Sequence, residues 1–544
     1  MTRPVIGAAI ILLTLLTFFQ FPGHTWLQSD TQIYAPILEH MRDPSVLGKD
    51  ILVQRPHVAY TLYDETAVGL ARVTGLSFEK ILAGEQIVLR GLGTWGVYLL
   101  AAGLGLAPAP ALLVAAGFSL GATIMGPAVL SIEYEPVPRG FAIPLLLLAV
   151  GLMAQGRRLA AGIAGGAAFL FHPPTCLPFW TVCFVWAVWP GEERGQRMRV
   201  LIPLVLAASV LWIFSRAQAG SSEPQEFFGR VDPALEVLQR MRGSYNWISI
   251  WWRQWLPHYV LLWIATVAAC WRLRGGLTRD QQIFLAGIPL YGILSVPASY
   301  VLLEKLKWSL MPQVQPMRAL LFVAAFAVIL AAVAACQAAR NGRWLEAFLW
   351  FVVVYLVPAN RVVAFPSASR TALIALLAAC SAAALWLYET QGQGWWPAVI
   401  AASALPFFLI PTWGRVENYP VFEHAELTDV AQWARAATQK DDVFLFPDAA
   451  EDLRPGVFRE EALRAIYVDW KGGGQINFLK ELGAEWWSRW RKAMAGGFDA
   501  RHLERYRGLG IDYLVIARKN RLTGTQPAFE NAGFSVYAVS ALNP

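Results

Sequence analysis

Carboxylates and arginines stand next to the ends of apolar runs in this 544-residue chain. Asp30 follows the first run, in "WLQSDTQIYAP". Glu133 and Glu135 stand in "SIEYEPVPR", with Arg139 at its end. Charged groups near membrane depth are costly and tend to face a cavity. Such a set suits group transfer from a lipid phosphate, because a carboxylate takes the proton of the acceptor hydroxyl while cations hold the phosphate.

Further cations are candidates for binding the lipid phosphate or the rest of the substrate. They are His172 in "FHPP", Lys305 in "EKLKWSLMPQVQP", Arg318 in "QPMRAL" and Lys471 in "RAIYVDWKGGG". Each also has a plain structural interpretation. His172 suits a helix-end cap, Lys305 and Arg318 suit interfacial anchors, and Lys471 suits a strand exit before a glycine turn.

The acids have structural alternatives too. Asp30 precedes Thr31 and Gln32, a fair start for a helix that Asp30 would cap. Glu133 and Glu135 stand beside prolines and would also suit a solvated turn. Arg139 would equally suit a side chain that reaches toward headgroups.

The composition predicts an α-helical polytopic membrane protein. Hydrophobic residues make up 56% of the chain and charged residues only 15%, well below the quarter typical of soluble proteins. The 24 tryptophans fit membrane interfaces. The formal net charge of +7 is interpreted through loop topology, and no basic patch on a polar domain suggests nucleic-acid binding. The five cysteines all lie in apolar runs and offer no disulfide or zinc spacing.

About thirteen apolar runs are long enough to suggest membrane spans. They are 4–21, 86–107, 109–131, 140–156, 159–171, 174–190, 200–215, 258–271, 282–302, 317–339, 344–359, 371–388 and 396–412. Alternating the runs from a cytoplasmic N-terminus places most short arginine-rich connections inside, as the positive-inside rule requires. The long loop 22–85 and the tail 413–544 then lie outside.

The transmembrane domain is therefore predicted over 1–412 and an extracytoplasmic domain over 413–544. In the tail, "LTDVAQWARAAT" and "FDARHLERYRGLG" predict helices, while "DDVFLFP" and "IDYLVIAR" predict strands. This alternation predicts a small α/β domain. Helices are also expected within loop 22–85, at "TQIYAPILEHM" and "AVGLARVTGL". The tryptophan-rich "SYNWISIWWRQWLPHY" suggests an interfacial helix or a wall beside a substrate groove.

These motifs resemble the GT-C superfamily of integral membrane glycosyltransferases. The resemblance is carried by "QSDTQIYAP", "EYEPVPRGFAIPL", "FHPP" and "QPMRAL", and in the tail by "DVAQWARAATQKDDVFLFP", "FREEALRAIYVDWKGGG" and "EWWSRW". It implies a bacterial inner-membrane enzyme that uses a polyprenyl-phosphate sugar. It further implies Asp30 as base or acceptor-site organiser, Glu133 or Glu135 as second acid, and Arg318 as phosphate ligand.

The resemblance also bears on cofactors and on the reaction. Members often carry paired acids after the first span, whereas here Gln28 and Ser29 precede a single Asp30. A divalent cation is therefore possible but not favoured, and no other cofactor is expected. An inverting hexosyl or pentosyl transfer is implied, with a lipid, glycan or protein as the extracytoplasmic acceptor.

Two other functions stay open from the sequence. A transporter or flippase for a lipid-linked substrate would commonly show internal repeats and ionisable residues at the bilayer midplane. No clear repeat is visible, and the ionisable residues gather at one face. The third possibility is a non-catalytic relative whose tail binds a partner.

Overall fold

The computed structural model describes residues 1–54, 61–190, 193–217, 227–359, 367–417, 422 and 424–542. Its α-helices in these ranges are α1 Arg3–Phe19, α2 Thr31–Arg42, α3 Ile51–Gln54, α4 Tyr63–Thr74, α5 Phe78–Gly103, α6 Pro108–Ser119, α7 Pro138–Ala154, α8 Arg158–Phe171, α9 Pro173–Val188, α10 Arg194–Met198, α11 Ile202–Ala217, α12 Pro233–Arg242, α13 Ile248–Leu273, α14 Arg279–Ser299, α15 Met311–Val314, α16 Leu320–Arg340, α17 Trp344–Ala359, α18 Ala368–Thr390, α19 Trp396–Thr412, α20 Ala425–Ala437, α21 Arg454–Ala462 and α22 Lys480–Ala493. The strands are β1 Thr123–Ile124, β2 Val129–Leu130, β3 Val443–Leu445, β4 Ala465–Ile466, β5 Tyr513–Ala517, β6 Phe529–Glu530 and β7 Phe534–Ala538.

The apolar helices are those of a multi-pass membrane protein. Six helical segments in the described ranges are long and apolar enough to cross a membrane, and six shorter apolar helices accompany them. Every one of the thirteen predicted runs overlaps a helix. The run 109–131 is helical only to Ser119, however, because the chain turns at Gly121 (φ 72°) into the hairpin β1–β2.

Helix α16 forms the centre of this bundle, and its residues from Leu320 to Cys336 are all buried. Helices α6, α13, α14, α17 and α18 pack around it. Alanine fills much of its sequence, and small side chains allow neighbouring helices to approach closely. The tryptophan-rich stretch predicted as an interfacial helix is not a separate element. From Ile248 onward it forms the first turns of α13, which continues through the predicted span 258–271.

Helices α5 and α7 approach each other so closely that their backbones touch at two glycines. A side chain at Gly96 would overlap the backbone of α7 at Leu148, and one at Gly151 would overlap the carbonyl of Gly96. This contact holds the C-terminal half of α7 against α5, and Arg139 lies in the first turn at the other end of the same helix.

The tail contains a five-stranded sheet in the order β4-β3-β5-β7-β6. Strands β4, β3 and β5 are parallel, and β7 runs antiparallel to β5 and β6. Both predicted strands and the helix predicted at "LTDVAQWARAAT" are confirmed as β3, β5 and α20. The prediction of a helix over 498–510 is wrong, because only a 3₁₀ turn, Leu503–Tyr506, forms there. Asp499 accepts hydrogen bonds from the Arg501 backbone and side chain, and this local turn competes with helix.

The loop between α1 and α5, residues 20–77 and here called the first loop, packs into the core of the tail. Its helix α2, predicted at "TQIYAPILEHM", and α4, predicted at "AVGLARVTGL", are both confirmed. Ile33, Ile37 and Ile51 are buried in the same hydrophobic cluster as Leu445 and Leu514 of the sheet. The domain boundary at residue 413 stays a prediction, and the tail shares its core with the first loop.

Glu460 on α21 makes the stability of this contact depend on pH. It is buried where α21 packs against α2, and burial, reinforced by the charge of Glu39, raises its pKa to about 8. An unfolded glutamate has a pKa of roughly 4.3. Between these values the folded protein holds a proton that the unfolded chain has released. The free energy of unfolding therefore falls by about 1.4 kcal/mol per pH unit as pH rises through this window.

We expect Glu460→Gln to remove this loss of stability with rising pH. The variant should match wild type near pH 5 and exceed its thermal stability at pH 8, in melting curves of the detergent-purified protein. The exposed Glu504→Gln serves as control and should leave the pH dependence intact. A wild-type stability that does not fall between pH 5 and pH 8 would contradict the assignment.

Candidate functional site

The candidate site is built around Asp30, the residue immediately before α2. One carboxylate oxygen, Oδ1, accepts a hydrogen bond from Lys471 Nζ at 2.7 Å. The other, Oδ2, lies 3.1 Å from Arg139 Nη1. The side chain makes no capping hydrogen bond to α2, so the simple cap interpretation is wrong. The Asp30 side chain is 27% exposed.

The cations around Asp30 fix its charge. Burial acts to raise the pKa of Asp30, but Lys471 and Arg139 outweigh it and hold this pKa well below its usual range. The carboxylate is therefore ionised at every physiological pH.

Glu133 lies on the other side of Arg139. Its Oε1 accepts a hydrogen bond from Arg139 Nε at 2.5 Å, so Arg139 bridges the carboxylates of Asp30 and Glu133. The Glu133 backbone carbonyl accepts hydrogen bonds from Gln86 and Arg90 of α5. The turn before α7 is thus held to α5, and it presents Arg139 at a fixed position.

Glu135 supports the backbone on both sides of Asp30. Its carboxylate accepts hydrogen bonds from the backbone N–H groups of Gln28 and Ser29 at 2.8 and 2.7 Å, and from the Thr31 hydroxyl at 2.6 Å. Burial, together with the charge of Asp30, raises the pKa of Glu135. These contacts occupy Glu135 with the residues that flank Asp30, which makes it a positioning residue.

Lys471 reaches Asp30 from the tail, and a buried ion triad holds it there. The triad consists of Arg459, Asp50 of the first loop and Asp469, all at most 1% exposed in their side chains. Arg459 Nε donates to Asp50 at 2.7 Å, and Arg459 Nη2 donates to Asp469 at 2.6 Å. Asp469 stands two residues before Lys471 and accepts from the Gly472 backbone N–H. The triad therefore joins the first loop to the segment that carries Lys471.

The sequence alone did not predict this triad, and neither Asp50 nor Arg459 is among the candidate site residues. The signal available in the sequence is a charged residue inside a stretch that is otherwise apolar on one face, and such a signal does not reveal its partner.

Arg318 and His172 lie beside this cluster and line one cavity. The cavity is bounded by α9, α14 and the start of α16, and its walls include Leu177, Tyr291 and Phe322. Arg318 lies within electrostatic reach of Asp30, Arg139 and Glu133. Its Nε is buried and has no hydrogen-bond partner in the part of the chain that the structure describes. His172 caps α9, where its Nδ1 accepts from the Thr175 backbone N–H, as the structural alternative proposed.

Lys305 lies apart from the other candidates. It is exposed at the end of a π-helical turn, Tyr300–Lys305, with its ammonium group 5.3 Å from the Tyr300 ring centre. Within the described ranges, no contact joins it to Asp30, Arg139 or Arg318.

The acids of the site do not fit a divalent cation. Asp30 and Glu133 converge, but the Arg139 guanidinium occupies the space between their carboxylates. A cation there would have to displace Arg139. The described residues contain no group of three potential metal ligands.

Comparisons with known proteins give one short family match and several distant structural likenesses. Residues 425–493 match the model of a domain of unknown function, DUF6798. No curated protein matches the chain.

Several solved structures resemble the chain. ArnT from Cupriavidus metallidurans in the apo state is 14% identical, with a TM-score of 0.42 over 99% of this chain and 98% of ArnT. The same protein bound to undecaprenyl phosphate is 12% identical, with a TM-score of 0.45 over 99% of both chains. The arabinofuranosyltransferase AftD from Mycobacteria is 15% identical, with a TM-score of 0.45 over 99% of this chain and 40% of AftD.

Proposed function

We propose that this protein is a membrane glycosyltransferase that moves a sugar from a polyprenyl-phosphate donor to an acceptor hydroxyl. The observation that carries the proposal is the position of Asp30: a partly exposed, ionised carboxylate held between two cations, beside a cavity that a third cation lines. This arrangement supports a base next to a phosphate-binding set.

In the proposed reaction Asp30 removes the proton of the acceptor hydroxyl. The acceptor oxygen forms a bond to the anomeric carbon while the bond from that carbon to the phosphate oxygen breaks. The electron pair leaves on the polyprenyl phosphate, and the proton rests on Asp30 until it passes to water. Attack opposite the leaving phosphate inverts the anomeric centre.

In the proposed reaction the cations balance the charge of Asp30 before the substrate binds and stabilise the phosphate as it leaves. Positively charged donors stabilise charge that develops on a phosphate oxygen. Arg318 has one donor, Nε, without a partner among the described residues, and Lys471 and Arg139 lie against Asp30, where the donor phosphate would approach them. Because these two cations suppress the basicity of Asp30, the negative charge of a bound phosphate would offset their effect and raise that basicity.

The apolar part of the cavity suits the start of the lipid chain. Leu177, Tyr291 and Phe322 line it beside Arg318. A polyprenyl phosphate placed there has its headgroup at the cation and its first isoprene units against these side chains. We place the site and the tail 413–544 on the extracytoplasmic side of a bacterial inner membrane, where a lipid, glycan or protein would be the acceptor.

A transfer assay tests the proposal. Membranes containing the protein are incubated with polyprenyl phosphate carrying a radiolabelled sugar, together with an extract of cell-envelope acceptors. Label that moves from the lipid to the acceptor supports the proposal. Label that stays on the lipid while the lipid crosses leaflets would instead indicate a flippase and would overturn it.

Arg318→Gln is expected to weaken binding of bare polyprenyl phosphate by roughly 10- to 100-fold. The variant loses a charge-assisted hydrogen bond worth roughly 1.5–3 kcal/mol. Binding is measured on the purified protein by the quenching of its tryptophan fluorescence. Lys305→Gln removes a cation from the same segment of chain but outside the cluster, and it should bind as wild type does. Equal losses in the two variants would show a general charge effect and contradict the role of Arg318.

A further inference from the structure

Several buried amide groups beside the site have polar atoms without partners. They lie in α12, in the turn that follows it, and in the 3₁₀ helix Lys471–Asn477 of the tail. In the ranges that the structure describes, no hydrogen bond reaches Gln239 Oε1, Asn477 Oδ1, or either polar atom of Asn246. Asn246 is fully buried, at 0% exposed. Buried polar atoms are nearly always paired, so such a concentration indicates a missing partner.

These three residues, Gln239, Asn246 and Asn477, are called the amide cluster. Contacts place Gln239 and Asn477 between α12 and the 3₁₀ helix, and Asn246 follows Tyr245 in the turn after α12. Asn477 Nδ2 donates to the Tyr245 hydroxyl at 2.9 Å, and Gln239 Nε2 points at the Ile476 carbonyl at 3.5 Å. The Asn477 side chain lies directly against Gly243, where a Cβ atom would collide with it.

The amide cluster bridges the two halves of the proposed site. At one end the Arg318 guanidinium stacks over the Tyr245 ring, 4.7 Å from its centre. At the other end the 3₁₀ helix begins with Lys471, which contacts Asp30. Tyr245 and Lys471 thus connect the elements that carry the amides to Arg318 and Asp30, between which the sugar of a donor would lie.

We propose that the amide cluster binds the hydroxyls of an uncharged sugar. A hydroxyl both donates and accepts, and an amide side chain offers one acceptor oxygen and two donor hydrogens. An amino sugar would carry its positive charge toward Arg318 and toward Arg242, whose guanidinium lies 3.7 Å from the Trp470 ring centre in the same region. The proposal rests on the proposed function and names its substrate class.

Two variants test the proposal on the full-length protein in detergent. Gln239→Met and Asn246→Leu replace an amide by an apolar group of similar size. Removing both unpaired polar atoms should raise the melting temperature of Asn246→Leu above that of wild type. Each variant should bind bare polyprenyl phosphate as wild type does. Wild type should prefer the hexosyl lipid to the bare lipid by roughly tenfold or more, and the variants should lose that preference.

Gln337→Met is the matched control, because Gln337 lies at the far end of α16 and its amide donates to the Leu104 carbonyl. It should retain the preference. If the variants keep the donor preference but raise the KM for the acceptor, the amides bind acceptor hydroxyls, which still supports a sugar site. A preference and acceptor KM unchanged in both variants would overturn it and leave the amides to ordinary buried water. Tighter binding of an aminohexosyl lipid would overturn the uncharged class.

The same measurements separate this inference from the proposed function. Absence of any binding of bare polyprenyl phosphate to wild type would contradict the proposed function itself. If wild type binds the bare lipid and binds the hexosyl lipid no more tightly, only the proposed role of the amide cluster is contradicted.

Discussion

Asp30→Asn is expected to lower kcat for sugar transfer by about 10²- to 10⁴-fold, the usual contribution of a general base. The amide cannot take up the acceptor's proton, although it keeps nearly the same shape. Arg139 retains Glu133 as a partner in this variant, so the fold around the site should persist. The KM for the donor should change much less than kcat, because the proposed role of Asp30 is to take the proton of the acceptor. Initial rates with radiolabelled donor over a range of donor concentrations measure both constants.

Asp43→Asn provides the matched control for this experiment. Asp43 belongs to the same first loop but is 48% exposed and bonds to Ser45 and Lys440, away from the site. Its variant should transfer sugar at the wild-type rate. Transfer that survives Asp30→Asn unchanged would remove Asp30 from the role of base.

Arg459→Met is expected to lower the free energy of unfolding by roughly 3–5 kcal/mol, the cost of breaking a buried ion pair at one partner. Asp50 and Asp469 would both be left buried without their cation. Asp469 also precedes Lys471, so the variant should lose transfer activity along with stability. Denaturant unfolding, followed by the fluorescence of the tail's tryptophans, measures the stability change.

Neutralising the two acids should rescue the variant. The triple change Arg459→Met, Asp50→Asn, Asp469→Asn removes the unpaired charges. The amide oxygen introduced at position 50 can still accept from the Ile466 backbone N–H, as the Asp50 carboxylate does. The triple variant should therefore regain most of the lost stability.

Arg501→Met controls for loss of an arginine at the surface of the tail, since Arg501 is 85% exposed and its pair with Asp499 is worth little. A loss in Arg459→Met no larger than that in Arg501→Met would contradict the triad.

Local patterns predicted the helices and the approach of Asp30 to cations. Apolar runs locate membrane helices because a segment inside the membrane must satisfy its own backbone hydrogen bonds, which a helix does. The apolar pattern alone therefore predicts a helix. Alternation of the loops placed Asp30, Glu133 and Arg139 at one face, and the structure joins them through Arg139. The tail strands followed from short apolar stretches between turns.

Long-range pairing could not be predicted in the same way. Glu133 and Glu135 are two residues apart in an irregular turn, and no period tells which one meets Arg139 and which one supports the first loop. Arg459 and Asp50 are distant along the chain, so nothing local couples them. The helix predicted at 498–510 failed because the side chain of Asp499 satisfies the backbone of the following turn instead.

The shared core of the first loop and the tail has a consequence for biosynthesis. A ribosome makes the first loop early and the sheet last. The side chains of Ile33, Ile37 and Ile51 therefore cannot pack against Leu445 and Leu514 until almost the whole chain has been synthesised. Asp50 likewise cannot pair with Arg459 before then. During that interval the loop exposes apolar surface and an unmatched charge. The contact of Asp30 with Lys471 is therefore formed only when most of the tail has been synthesised, and a chain truncated before the tail cannot form it.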